Sequence, residues 1–270
     1  MRSRQLRRRT KCAKGEALRI AKQDCLRILY HEFRKKERHK RKYFQVFFQK
    51  VLHLFQFFII ILGDYKKDQF VTMKKEKIYR VFSHLPELTT RRLTLRRMMV
   101  ADTEDMYAYA SRPDVTKYLT WYPHPDRAYT REYLQYLGNR YSAGMFYDWA
   151  VVYEPDCKMV GTCGFTSFNC ASDSAEVGYV LNPEYWGKGI ATEALTRVLR
   201  FGFEELKLHR IEARFIQENE RSRRVMEKVG MRFEGIMREG MLIKGNYLNI
   251  GICSILQSEW REIQAKKALD

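Results

Sequence analysis

The stretch Asn182-Pro183-Glu184-Tyr185-Trp186-Gly187-Lys188-Gly189-Ile190-Ala191-Thr192 sets two glycines around a lysine, just before a helical pattern begins. The first turn of a helix carries N–H groups with no intrahelical partner, and the helix dipole adds partial positive charge there. Glycines at 187 and 189 lack a Cβ and accept positive φ, so a phosphate could come close to those amides. The chemistry on offer is anion binding; the alternative is a turn that simply requires glycine. Two common nucleotide loops do not fit. A Walker loop needs Gly-x-x-x-x-Gly-Lys followed by Ser or Thr, and a dinucleotide fingerprint needs Gly-x-Gly-x-x-Gly, where this chain has Thr192.

The elements that must position this loop can be read on either side of it. Ala175–Leu181 reads as a strand that stops at the Asn182-Pro183 break. Ala191, Ala194, Leu195, Val198, Leu199 and Leu206 fall on one face of a helix. Upstream, Arg92–Arg96 alternates as a strand, and Asp102 can cap a helix running to Ala110 with Asp105 at its third position. Ser111 to Asp114 ends that helix, and a second is predicted over Arg127–Tyr141. Trp149–Tyr153, the turn Glu154-Pro155-Asp156 and Met159–Phe168 make a hairpin. Downstream come a strand over Arg210–Ile216 and a helix over Asn219–Val229 closed by Gly230. A last hairpin joins Phe233–Ile243 to Tyr247–Leu256. This order predicts a mixed α+β domain.

Charge is unevenly spread along the chain. The formal net charge is +18, yet residues 1–72 hold 20 Lys/Arg against 6 Asp/Glu, a net of +14. The part that carries the glycine loop is therefore close to neutral, and the pI of 9.7 is no argument that it binds DNA. Basic runs such as Arg7-Arg8-Arg9 precede an aromatic and apolar stretch from Tyr43 to Leu62, broken by Gln49, Lys50, His53 and Gln56. A membrane span needs roughly 20 predominantly apolar residues, so no stable span is expected, and no small-residue cleavage site marks a signal peptide. Three readings stay open for residues 1–72: an arm on a membrane surface, an RNA-binding arm, or sequence upstream of the natural protein. The composition turns globular at Met73, which looks like an ordinary bacterial start. We expect a 1–72 extension, disordered or foreign to the natural protein, and one domain over 73–270. The 6 cysteines form no Cys-x-x-Cys pair and no His/Cys cluster at metal spacing. They are read as reduced, mostly buried thiols in a cytoplasmic protein with no metal.

Residues 80–260 resemble the GCN5-related N-acetyltransferases (GNAT), in particular the RimJ/RimL type that modifies ribosomal proteins. The resemblance rests on Leu93-Thr94-Leu95-Arg96, Ala175-Glu176-Val177-Gly178-Tyr179, the Asn182–Ala194 loop, Arg210-Ile211-Glu212-Ala213, Asn219-Glu220-Arg221-Ser222, and Glu227 to Gly235, in family order and spacing. It implies the GNAT fold, a mixed and mostly antiparallel sheet of about seven strands with a central splay and about four flanking helices. It also implies acetyl-coenzyme A as co-substrate. The amides of Gly187, Lys188, Gly189, Ile190, Ala191 and Thr192 would then hold its pyrophosphate. Tyr179, Val180 and Leu181, splayed from the next strand, would pair with the pantetheine arm, and Asn219 would bond to it or cap its own helix. Trp186 stands where the family often has Gln or Arg, a mild departure for this type.

Amide formation needs a neutral amine, a stabilised oxyanion and a proton for the leaving thiolate. By resemblance, Glu176 is the base and Ser222 the acid, and a backbone N–H within 179–181 meets the oxyanion. Two family variants are missing. The position five before Asn219 is Arg214, which cannot be a base, and the usual acidic tyrosine is replaced by Met226. Trp121 and Tyr122, in the aromatic loop Tyr118–Pro125, fall where the acceptor is lined, and His124 is read as a loop residue. The implied activity is N-acetylation of a primary amine, foremost a protein N-terminal α-amine, possible acceptors including a ribosomal protein. Small amines such as polyamines or aminoglycosides, and a non-catalytic acetyl-coenzyme A or RNA-binding module, remain alternatives. A monomer or homodimer is expected.

Overall fold

The computed structural model describes residue 71 and residues 74–267. The expected boundary at Met73, and the basic extension before it, lie outside the described residues.

Eight strands form one sheet: β1 (Leu88–Thr89), β2 (Leu93–Arg96), β3 (Asp148–Tyr153), β4 (Lys158–Asn169), β5 (Ser174–Leu181), β6 (Arg210–Ile216), β7 (Arg232–Ile243) and β8 (Asn246–Leu256). Their spatial order is β1-β2-β3-β4-β5-β6-β8-β7. Every pairing is antiparallel except β5 with β6, which is parallel and runs only from Ser174–Arg210 to Val177–Ala213. A parallel pair needs a crossover, and here the glycine loop and α5 (Ile190–Arg200) supply it. The other helices are α1 (74–83), α2 (Thr103–Ala110), the single turn α3 (Pro113–Thr116), α4 (Arg127–Ser142), α6 (Glu220–Lys228) and α7 (Gln257–Lys267).

Strand alternation sends residues to two cores. Trp149, Val151, Val160, Val177, Ile211 and Ala213 pack with Phe82 of α1, Leu195 and Leu199 of α5 and Trp260 of α7. Ala150 and Met159 face the other way, against Met106 and Tyr109 of α2 and Leu134, Leu137 and Tyr141 of α4. The sheet is thus covered on both faces.

The expected elements are found, and the structure adds several. The sheet has eight strands, the extra one being the two-residue β1. Helices α1, α3 and α7 had no expected counterpart. The helix after the glycine loop stops at Arg200 and continues as a wider π-type turn over Phe201–Glu205, so Leu206 is outside it. Asp102 does not cap α2 with its side chain. Its carboxylate instead binds Arg96 at 2.7 Å and accepts from the Met99 N–H, pinning the chain after β2. Asp105 accepts from the Met159 N–H at 3.0 Å, which ties α2 to β4.

Phe82 fixes α1 to the sheet. It is fully buried, with its ring 4.9 Å from Tyr147, 5.6 Å from Trp149, 5.6 Å from Phe168 and 6.2 Å from Phe201. Removing such a ring leaves a cavity that neighbours fill only in part. We expect Phe82→Ala to cost about 3–5 kcal/mol of stability, measured by urea unfolding; a loss below ~1 kcal/mol would mean that α1 is not part of the cooperative core.

Candidate active site

The glycine loop adopts the conformation that its sequence suggested. Gly187 and Gly189 both have φ of +76°, and Gly189 directly precedes α5. A Cβ at Gly187 would meet nothing within 4 Å, and one at Gly189 would meet only Arg92 Nη2 at 3.6 Å. The amides there are bare on their outer side. Glu193, in the first turn of α5, accepts from Thr90 Oγ1 (2.6 Å), the Arg92 N–H (3.0 Å) and Arg92 Nε (2.8 Å), while Arg92 Nη1 donates to the Lys188 carbonyl. The loop is therefore fastened to the start of β2. Trp186 folds back, donating its indole N–H to the Leu181 carbonyl at 2.8 Å, and Arg221 lies over its ring.

Beyond Val177–Ala213, β5 and β6 part, while β5 stays paired with β4 to its end at Leu181. The β6-facing edge of β5 from Gly178 onward therefore has no strand partner. Of the expected Tyr179–Leu181 edge, Leu181 is modified in one respect: its carbonyl is taken by Trp186. Asn219 opens α6, its Oδ1 accepting from the Ser222 N–H at 3.2 Å, so the cap role is real. Its Nδ2 has no hydrogen-bond partner among the described residues, and Asn219 lines the cleft.

Tyr179 proves to matter through its side chain as well. Its hydroxyl lies 2.8 Å from the Ser222 carbonyl and 2.9 Å from Ser222 Oγ. A phenol has one proton. If that proton goes to the carbonyl, the Ser222 hydroxyl must donate to Tyr179 Oη. Burial holds the phenol well above its ordinary pKa, so it stays protonated. This bridge joins β5 to α6 at the parting of the sheet.

A cavity of about 740 Å³ opens where the strands diverge. Trp121 and Tyr122 line it, Tyr122 being 68% exposed at the mouth. Lys244, in the β7–β8 turn, sits over the Tyr122 ring and donates to the Thr116 carbonyl, so that hairpin completes the mouth. His124 is buried against Trp121, Tyr129 and Tyr133 and bonded to Thr130. Burial lowers its pKa, and it is a neutral packing residue. Glu176 lies in the cavity with Arg214 3.4 Å away. Burial raises the Glu176 pKa and Arg214 opposes that shift. The cavity also exposes a residue that the sequence did not suggest. Asp148, the first residue of β3, faces inward, and burial pushes its carboxyl up to about 7.

Residues 92–232 match the family described as acetyltransferase (GNAT) domain. The chain belongs to that family. This GNAT protein is 33% identical to the uncharacterized N-acetyltransferase p20 of Bacillus licheniformis over 64% of its own length and 97% of that protein. It is 34% identical to YdaF of Bacillus subtilis, provisionally named a ribosomal N-acetyltransferase, over 45% and 62% of the two chains. It is 27% identical to the spermidine N(1)-acetyltransferase of Vibrio cholerae over 62% and 95%. The crystal structure of a GNAT-family acetyltransferase from Bacillus anthracis superposes with a TM-score of 0.58 at 31% identity, covering 64% of this chain and 99% of that one. The GNAT enzyme is thus an acetyl-coenzyme A-dependent N-acetyltransferase. Among the described residues no group of three or more His, Cys, Asp or Glu is placed to hold a metal, and no helix is long and apolar enough to cross a membrane.

The bare loop and the unpaired β5 edge suit the pyrophosphate and amide-bearing arm of that coenzyme. Gly189→Val adds a branched Cβ at positive φ, a conformation that β-branched residues resist, and covers amides that are otherwise open. Calorimetry with acetyl-coenzyme A should show binding lost while the folded state persists by circular dichroism. Unchanged affinity in a folded variant would remove the loop from the coenzyme site.

Proposed function

We propose that this enzyme acetylates the α-amine of a protein N-terminus, in the manner of a ribosomal-protein acetyltransferase, by direct attack. The observation that carries this reading is the charge of the cavity wall. Among the described residues its only acidic linings are Asp148 and Glu176, and Glu176 already faces Arg214. The rest is aromatic, aliphatic or neutral, with Tyr109, Trp121, Tyr122, Tyr129 and Tyr133 foremost. One free carboxylate in an aromatic cavity suits a single ammonium followed by an uncharged chain. A polyamine carries several separated cations and would need carboxylates along its length.

Bound acetyl-coenzyme A supplies an activated acyl thioester. The amides of Gly187 to Thr192 hold its pyrophosphate in this reading, and the edge at 179–181 with Asn219 Nδ2 holds its arm. A backbone N–H of that edge faces the developing oxyanion. On the sulfur side, Ser222 offers its hydroxyl proton once Tyr179 turns its own proton from the Ser222 carbonyl to Ser222 Oγ. On the acceptor side, Glu176 and Asp148 are the carboxylates available to the amine's proton. A ribosomal acceptor implies a cytoplasmic enzyme, and we read residues 1–72 as dispensable for turnover.

The spermidine-acetylating relative favours a second reading, a small polycationic acceptor. An acceptor screen followed by thiol release and intact mass separates the two. Peptides beginning with Ser or Ala are expected to exceed spermidine in kcat/KM by about tenfold or more, equivalent to ~1.4 kcal/mol of selectivity. A preference for spermidine would overturn the N-terminal assignment.

A further inference from the structure

Asp148 points into the cavity from the sheet face that α2 and α4 cover. Its neighbours in the same cross-strand row are Gly164 on β4 and Gly178 on β5. Neither glycine has a side chain, and the Thr166 methyl, 3.0 Å from where a Gly178 Cβ would stand, borders the path from the carboxylate to the place where β5 loses its β6 partner. The emptiness at Gly164 is enforced. A Cβ there would sit 2.4 Å from Asp148 Cα and 2.7 Å from Asp148 Oδ1. Neighbouring strands lie about 4.8 Å apart, so the Asp148 and Gly178 backbones are about 10 Å apart. With the carboxylate reaching into that span, what remains suits a single amine nitrogen.

The groups around Asp148 are neutral. Trp149 N–H donates to Oδ1 at 2.9 Å, and the nearby Thr162 side chain opposes part of the rise in the carboxyl's pKa. Tyr109 lies near it from α2 and Tyr133 and Tyr141 from α4, all with pKa values raised by burial. The Tyr141 hydroxyl donates to the Asp148 backbone carbonyl instead. No Lys, Arg or His among the described residues pairs with the Asp148 side chain. A second polar group beside it is also unanswered. Tyr109 is 2% exposed, lines the cavity, and its hydroxyl has no hydrogen-bond partner among the described residues. A half-buried carboxylate without a cation and a buried phenol without a partner both cost stability. One primary ammonium would answer both.

We propose that Asp148 is the catalytic carboxylate that receives the acceptor's ammonium group and takes its proton. The assignment rests on reading the cavity as the site of a singly charged primary amine. In the step, one N–H bond of the ammonium breaks, its proton moves to an Asp148 oxygen, and nitrogen keeps the electron pair for attack. The proton leaves to solvent through the cavity mouth once the product departs. A carboxyl pushed up to about 7 lies near the 7.7–8.0 of an α-amine, so the transfer is nearly balanced. Glu176 is the rival, but Arg214 makes its carboxylate a weaker base.

The test compares Asp148→Asn with Glu176→Gln in the full chain. The Asn side chain keeps its shape and its acceptor for the Trp149 N–H, and circular dichroism checks the fold. With a Ser-initiated peptide and with spermidine, wild-type kcat/KM should fall below pH 7 through one ionisation near 7. Asp148→Asn should lose about 100-fold or more together with that ionisation, whereas Glu176→Gln should keep it. A readout without coenzyme or turnover is carbon NMR of protein labelled at the aspartate carboxyls. One signal, missing in Asp148→Asn, should titrate near 7, and added peptide should lower its midpoint, because a cation favours the ionised form. The proposal fails if Asp148→Asn stays within about threefold of wild type, if Glu176→Gln abolishes the ionisation, or if no aspartate titrates near 7. Should spermidine be acetylated and the peptide not, the N-terminal reading falls, and the variants compared on spermidine still decide the role of Asp148.

Discussion

β5 and β6 run parallel and share only four register positions before they separate. Backbone groups that lose a strand partner must find another or face solvent, and the way each is met organises this molecule. The Leu181 carbonyl is met by the Trp186 indole. The Tyr179 side chain, not its backbone, reaches α6 and spans the gap with Ser222. What stays unmet is the β6-facing edge from Gly178, and the glycine loop lies directly at its exit. Had the pairing continued two residues further, the cavity would close and the loop would be an ordinary turn.

The electrostatics follow the same line. Glu176, Arg214, Glu212, Arg210 and Glu234 form successive ion pairs across β5, β6 and β7. Arg210 and Ser254 hold the Glu234 carboxyl down to about 2. These charges answer one another on a half-buried face. Asp148, two strands from Glu176, is outside that ladder and has no such answer. A carboxylate kept unpaired among phenols is unfavourable for folding, and proteins keep such groups at sites where charge is used.

Much of this was legible in the sequence. The glycine loop, its strand, β6 and the two hairpins follow from alternation and turn residues and lie within about a residue of where those signals put them, whereas the helix after the loop gives way to a π-type turn at Phe201, short of the expected Leu206. Three kinds of feature were not legible. Helix α1 is a Lys/Glu-rich segment with a few apolar positions, Ile78, Val81 and Phe82, and its membership of the core depends on rings that come from β3 and β4. The two residues of β1 are too short to show alternation. Asp102 looked like a helix cap because local sequence supports it, but the nearby Arg96 guanidinium binds its carboxylate. Asp148 carries no local signal at all, since an acid beside a strand's first tryptophan reads as a loop residue. Only the register, which sets it opposite two glycines, reveals it. The Tyr179 hydroxyl is similar: its contact with Ser222 spans 43 residues of sequence.

Lys244 closes the mouth from a turn that is far along the chain from everything it touches. The groups suited to the coenzyme come from one unbroken run between β5 and α6. In the proposed reading, the wall facing the acceptor is assembled from the loop before α4, the start of β3 and the tip of the β7–β8 hairpin. Insertions at that tip, or changes among the exposed aromatics of the loop, can reshape the doorway while leaving the run intact. The architecture therefore separates an inherited engine from an exchangeable intake, so that a lineage could adopt new amines without rebuilding the machinery that drives their modification.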